Sequence, residues 1–88
     1  MQNPVQIRDS VVVVTGAASG IGFALSKALM AAGAKGVAMA DLQADALQAH
    51  AATIGGLAVP TDVTDEAAIL ALLEQAEREL GPVDLFVS

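Results

Sequence analysis

The sequence predicts an α/β fold of the doubly wound kind, with the first four strands of a parallel sheet in the order 3-2-1-4 and helices on both faces. Three observations predict it. Apolar runs of strand length alternate with amphipathic runs of helix length, and a glycine stands where each helix should end. The strand runs are also continuously apolar instead of alternating, as strands covered on both faces are.

The first strand is Val11–Thr15, "VVVVT", whose β-branched side chains suit a pleated sheet. A helix follows over Gly20–Ala32 and is closed by Gly33. Gly36–Asp41, "GVAMAD", is the second strand, Gln43–Ile54 the second helix, stopped by Gly55 and Gly56, and Leu57–Thr61 the third strand. The helix over Asp65–Leu80 has the clearest pattern. Ile69, Leu72, Leu73, Ala76 and Leu80 share a face, Glu74, Glu77 and Arg78 point elsewhere, and Asp65 and Glu66 sit at its positive end. Gly81 and Pro82 stop it, and a last strand runs from Val83 through "VDLFVS", with Asp84 its one polar exception. If strands 2 and 3 step outward from strand 1 and the chain then returns to lay strand 4 beside strand 1, right-handed crossovers put the first two helices on one face and the third on the other, with a switch point between strands 1 and 4. No repeat, low-complexity segment or linker interrupts the pattern, and the first few residues read as mobile.

Composition narrows the function classes. The 88 residues suffice for one small domain, and with 55% hydrophobic but 2% aromatic residues the core must be built from Ala, Val, Leu and Ile. Such a chain offers no stacking platform for single-stranded nucleic acid. A net charge of -6, with four basic residues, also argues against a polyanionic backbone or an anionic membrane as partner. A nucleotide cofactor stays open, because backbone amides hold a diphosphate without Lys or Arg. The absence of cysteine excludes disulfides, thiolate zinc sites and a cysteine nucleophile. The start, "MQNPVQIRDS", has no basic n-region and no apolar stretch of signal-peptide length, and Val11–Val14 is too short to cross a bilayer. The expectation is a cytoplasmic protein.

The glycines at 16, 20 and 22 fall where strand 1 gives way to a helix. Gly16 permits the sharp turn, Gly20 lets the backbone approach a bulky anion, and Gly22 lets the helix lie close to the strands. The result is a set of free amides and a positive helix end aimed at the switch point, where a pyrophosphate binds. The same glycines, with Ser19 as N-cap, also fit a helix start without a ligand. Context favours the ligand: the motif follows a strand, opens a helix, and is followed about 20 residues later by an acid. That acid, Asp41, ends strand 2. Its carboxylate can accept both ribose hydroxyls of an adenosine and repels a 2′-phosphate, which selects NAD over NADP. It also reads as an N-cap for the second helix at "DLQA", and the two roles are compatible. In "TDVTD", Asp62 can accept from an adenine amino group and the Val63 backbone can donate to the ring, although turn and cap roles for Asp62 and Thr64 explain the same residues.

Together these segments resemble the classical short-chain dehydrogenase/reductase family. Its T-G-x-x-x-G-I-G is present as Thr15, Gly16, Gly20, Ile21 and Gly22, its acidic NAD selector as Asp41, and its adenine-pocket Asp-Val as Asp62 and Val63. The family's fourth strand runs into Asn-Asn-Ala-Gly, and here Ser88 stands where the first Asn is usual, a mild departure. The resemblance covers the chain from Val11 onward. It implies that residues 1–88 are the N-terminal part of a single NAD-binding Rossmann domain, stopping at its fourth strand where such a domain needs roughly six. The candidate cofactor-binding set is Gly16, Ser19, Gly20, Ile21, Gly22, Asp41, Asp62 and Val63. The resemblance further implies hydride transfer between NAD(H) and a small-molecule alcohol or ketone, in a homo-oligomer. In the family a tyrosine acts as acid or base, a lysine lowers its pKa and a serine orients the carbonyl.

No catalytic residue can be assigned in these 88 residues, because there is no tyrosine and hence no Tyr-x-x-x-Lys. Lys27, in the first helix, and Lys35, in the turn after it, read as solvated surface charges. His50, mid-helix among alanines, reads as a partly exposed structural residue, and cap or loop roles account for Asp62, Asp65 and Glu66 without a metal. Two functions from different classes remain. One is the NAD-binding part of a short-chain oxidoreductase. The other is a non-catalytic module that binds NAD or another adenosine ligand, such as S-adenosylmethionine, or completes its sheet with a partner chain. The apolar edge at Leu85, Phe86 and Val87 carries no charge or proline to blunt it, which favours the first.

Overall fold

The computed structural model describes residues 6–88, so the expectation of a mobile start falls on residues outside those described. The elements are β1 (Val11–Thr15), α1 (Gly20–Ala31), β2 (Gly36–Asp41), α2 (Ala44–Ile54), β3 (Leu57–Pro60), α3 (Glu66–Leu80) and β4 (Leu85–Val87). All strand pairs are parallel and the order is β3-β2-β1-β4, so right-handed crossovers put α1 and α2 on one face and α3 on the other. Val13 sits at the centre, opposite Ala38 on one side and Phe86 on the other.

Alternation along the strands sends side chains to two separate cores. Val12, Val14, Val37 and Met39 pack with Leu29, Leu47 and Ala51 of α1 and α2, while Val13, Ala38, Ala40 and Val59 pack with Leu72 and Ala76 of α3. Leu47 and Leu72 are fully enclosed, which contributes about 1.5–3 kcal/mol each. The small Ala38 and Ala40 let α3 lie close, so two helices cover one face and a single helix the other.

The element ends differ from the sequence reading by one or two residues, each for a local reason. α1 stops at Ala31 because Ala32 is its C-cap and Gly33 turns left-handed at φ 95°. β3 ends at Pro60, whose missing N–H falls on the free side of the outer strand, and the Thr61 N–H still donates to the Asp41 carbonyl at 3.0 Å. β4 starts at Leu85 and not at Val83. Asp84 precedes it as a clip: its N–H donates to the Val11 carbonyl at 2.9 Å and its carboxylate accepts the Val11 N–H at 2.8 Å. That clip explains the one polar residue in an apolar run.

Candidate functional site

At the carboxyl end of β1 the chain leaves the sheet through Gly16, whose φ of 67° is one that an L side chain rarely adopts. The buried Ala17 is still tied to the sheet by its N–H to the Ala40 carbonyl at 3.0 Å. Ser19 then closes the turn and caps α1. Its hydroxyl donates to the Gly16 carbonyl at 2.6 Å and accepts the Gly22 N–H at 3.1 Å. Gly22 allows this closure, since a Cβ there would fall 2.7 Å from the Gly16 carbonyl carbon and nearer still to its oxygen. A Cβ at Gly20 would meet nothing within 4 Å, so the space beside that residue is open. The Gly20 and Ile21 amides have no acceptor among the described residues. Two unpaired N–H groups therefore stand at the positive end of a twelve-residue helix, with Ile21 87% exposed there.

Asp41, the last residue of β2, lies across the turn. Its Oδ2 accepts the Ala18 N–H and its Oδ1 the Gln43 N–H, both at 3.0 Å. The N-cap reading of Asp41 is corrected here. Gln43 occupies that position without a side-chain bond, and Asp41 instead forms an Asx turn two residues earlier. A carboxylate has about four lone-pair sites, so two amides leave about two for a ligand. These lie at a cleft of about 130 Å³ lined by Gly16, Asp41, Leu42, Thr61 and Val63. Leu42 and Val63 are apolar yet 70% and 47% exposed, and they form the greasy walls of an otherwise polar opening.

The structure thus brings Gly16, Asp41 and Val63 to one cleft and sets Ser19, Gly20, Ile21 and Gly22 at the helix end beside it. Asp62 stands apart from the lining. Its Oδ1 accepts both the Thr64 hydroxyl at 2.6 Å and the Thr64 N–H at 2.9 Å, and these bonds hold its carboxyl below the usual range. Asp65 caps α3 by accepting the Ala67 N–H at 3.0 Å. Sequence reasoning missed Leu42 and Thr61. Leu42 carried a signal: an apolar residue in a polar turn, next to the acid, has no core to enter.

Lys27 is more than a solvated charge. Its Nζ lies 4.6 Å from the centroid of Phe23, whose ring stacks on His50 at 4.1 Å with the planes 7° apart. His50 is partly exposed as expected and joins α1 to α2 through that stack. Lys35 is exposed, near the end of α3. Among the described residues no three His, Cys, Asp or Glu side chains gather to hold a metal. A larger cavity of about 320 Å³, lined by Gln6, Arg8, Asp9, Ser10 and Asp84, lies at the opposite, amino end of the sheet.

The family model described as short chain dehydrogenase matches residues 10–88. The chain belongs to the short-chain dehydrogenase family. Within it, the chain is 45% identical over 86 residues to 1-deoxy-11-beta-hydroxypentalenate dehydrogenase of Streptomyces avermitilis, covering 90% of this chain and 31% of that one. It is 39% identical over 85 residues to galactitol 2-dehydrogenase of Agrobacterium fabrum, covering 94% and 33%. Among solved structures, a short chain dehydrogenase/reductase from Burkholderia phymatum in complex with NAD superposes with a TM-score of 0.89 at 30% identity, over 94% of this chain and 31% of that one. The 3-ketoacyl-(acyl-carrier-protein) reductase of Brucella melitensis, complexed with NADH, gives 0.86 at 34% identity, over 91% and 34%. The chain spans about a third of the length of these relatives.

Proposed function

We propose that the chain is the N-terminal, NAD-binding part of an oxidoreductase that transfers a hydride between NAD(H) and a small-molecule alcohol or ketone. One observation carries the reading: the Asp41 carboxylate lines a cleft at the carboxyl end of the sheet, and the unpaired amides of Gly20 and Ile21 stand at the helix end beside it. The site fits a dinucleotide. Gly16, Gly20 and Gly22 would give the diphosphate its approach to the backbone, with Ser19 holding the turn, and Ile21 beside it. Asp41 would accept the ribose hydroxyls with the lone pairs that Ala18 and Gln43 leave free, while Leu42 and Val63 would cover the faces of the base and Asp62 would reach its amino group through Oδ2. When bound, the cofactor supplies the hydride chemistry, and these residues bind and orient it. NAD complexes of two similar proteins support the choice of cofactor.

The same reading makes the complete enzyme a cytoplasmic homo-oligomer that uses neither nucleic acid nor a membrane as partner. The net charge of -6 supports the last two points, and no helix among the described residues is long and apolar enough to cross a membrane.

Calorimetric titration of the full-length protein tests the reading. NADH should bind and NADPH should bind about tenfold more weakly or worse, about 1.4 kcal/mol, because Asp41 opposes a 2′-phosphate. Equal or tighter binding of NADPH would overturn the assignment of Asp41.

A further inference from the structure

We propose that Asp41 is a positioning residue for the phosphate-binding turn: its carboxylate ties the β1–α1 turn to the β2–α2 turn and holds the Gly20 and Ile21 amides in place before any ligand arrives. The proposal rests on the NAD-binding reading above and deepens it.

The turn has few other hydrogen-bonded anchors, although Ala17 is buried in the core and Ala18 packs against it. Beyond Ala17, whose N–H reaches Ala40, the chain is out of the sheet. Gly16 and Gly20 leave its backbone freer than any other residue type would. The Ser19 bonds to Gly16 and Gly22 close the turn on itself and fix nothing outside it. Among the described residues, the Ala18 N–H to Asp41 Oδ2 is the one hydrogen bond from residues 18–21 to another part of the chain, across 23 positions of sequence. Gln43 holds the other oxygen, so the carboxylate is locked and does not swing. An ionised acceptor of a backbone amide makes one of the stronger hydrogen bonds, and its charge also faces the positive end of α1. A cradle ordered in advance spares the ligand the cost of ordering it.

Asp41→Asn separates this role from the ribose contact. Its single carbonyl oxygen can serve one amide and turns an NH₂ toward the other. The substitution also removes a negative charge, which by itself would tighten a diphosphate, so weaker diphosphate binding must come from the turn. We would measure the affinity of the full-length enzyme for ADP and for 2′,3′-dideoxy-ADP, which has no ribose hydroxyl for Asp41 to accept. Amide hydrogen exchange at Ala18, Ser19 and Gly22, the hydrogen-bonded amides of the turn, would be followed without ligand, using amides in the middle of α3 as the internal reference. The expected result is that Asp41→Asn weakens dideoxy-ADP about tenfold and speeds exchange at these three amides by about as much, with the α3 reference unchanged. Unchanged dideoxy-ADP affinity and unchanged exchange, with ADP alone weakened, would overturn the tether and keep the ribose contact. Equal affinity of the unsubstituted enzyme for ADP and dideoxy-ADP would overturn the ribose contact instead, and the exchange rates, which need no ligand, decide the tether in that case too.

Discussion

The cavity at the amino end of the sheet is about 320 Å³ and the cleft at the carboxyl end about 130 Å³, yet it is the smaller one that lies beside unpaired backbone amides. At the amino end three polar groups are spent on the chain itself: Asp84 accepts from Val11, the Ser10 hydroxyl donates to the Ile7 carbonyl at 2.6 Å, and the Asp9 N–H donates to Gly33 at 2.8 Å. At the carboxyl end the amides of Gly20 and Ile21 stay unpaired, Asp41 keeps lone pairs in reserve, and Ile21, Leu42 and Val63 stand exposed. Parallel strands place every βα turn, and so every helix N-terminus, at one end of the sheet. A ligand site follows from groups left unsatisfied there, and volume alone does not reveal it.

The largest effect should come from the glycines, which differ at this end although helix propensity treats them alike. Alanine is favoured over glycine inside a helix by about 1 kcal/mol. Gly22→Ala nonetheless forces a Cβ into the Gly16 backbone, where no rotamer relieves it, and should cost about 3 kcal/mol in chemical denaturation as well as NADH binding. Gly20→Ala meets open space and should leave stability unchanged or raise it by up to about 1 kcal/mol while it weakens NADH. Equal stability losses in the two variants would mean that Gly20 is structural and that the opening beside it is no ligand approach.

The two carboxylates that accept backbone amides at opposite ends supply the next contrast. Asp84→Ala leaves the Val11 N–H without its acceptor and should cost about 1 kcal/mol once the exposure of Asp84 is allowed for. NADH affinity should stay within about twofold, because the substitution lies at the far end of the strand and acts on stability alone. A tenfold loss of NADH affinity in Asp84→Ala would abolish the distinction between the ends.

Much of this was legible in the sequence because it is local or follows from chirality. The glycine at 16, the cap at Ser19 and the stop at Gly55 are decided within four or five residues, and for the order 3-2-1-4 right-handed crossovers decide which face each helix covers. What escaped depends on register between distant segments. Nothing near Asp41 announces that its Oδ2 meets Ala18, since that requires β2 beside β1 with Ala40 opposite Thr15. The Lys27–Phe23–His50 column needs the spacing of α1 and α2, and the clip at Asp84 needs β4 beside β1. Composition cannot distinguish a spent carboxylate from a waiting one.

Asp62 tests that last distinction with the smallest effect. The Thr64 hydroxyl first, and then the Thr64 N–H, stabilise its ionised form and lower its pKa. A carboxyl lowered on folding stabilises the protein above the unfolded value of about 3.9, and that contribution is lost as pH falls through the lower folded value. Thr64→Val removes the hydroxyl and keeps the N–H, so Asp62 should titrate at higher pH, read from its carboxyl carbon by NMR, and the acid limb of stability should become slightly smaller while still starting near the unfolded value. Because solvent screens the group, melting should barely change, and NADH affinity should move by less than about twofold. If Asp62 titrates identically in both proteins, the Thr64 hydroxyl is not its partner in solution. Asp62 would then belong with Asp41 as a carboxylate with lone pairs free at the carboxyl end of the sheet.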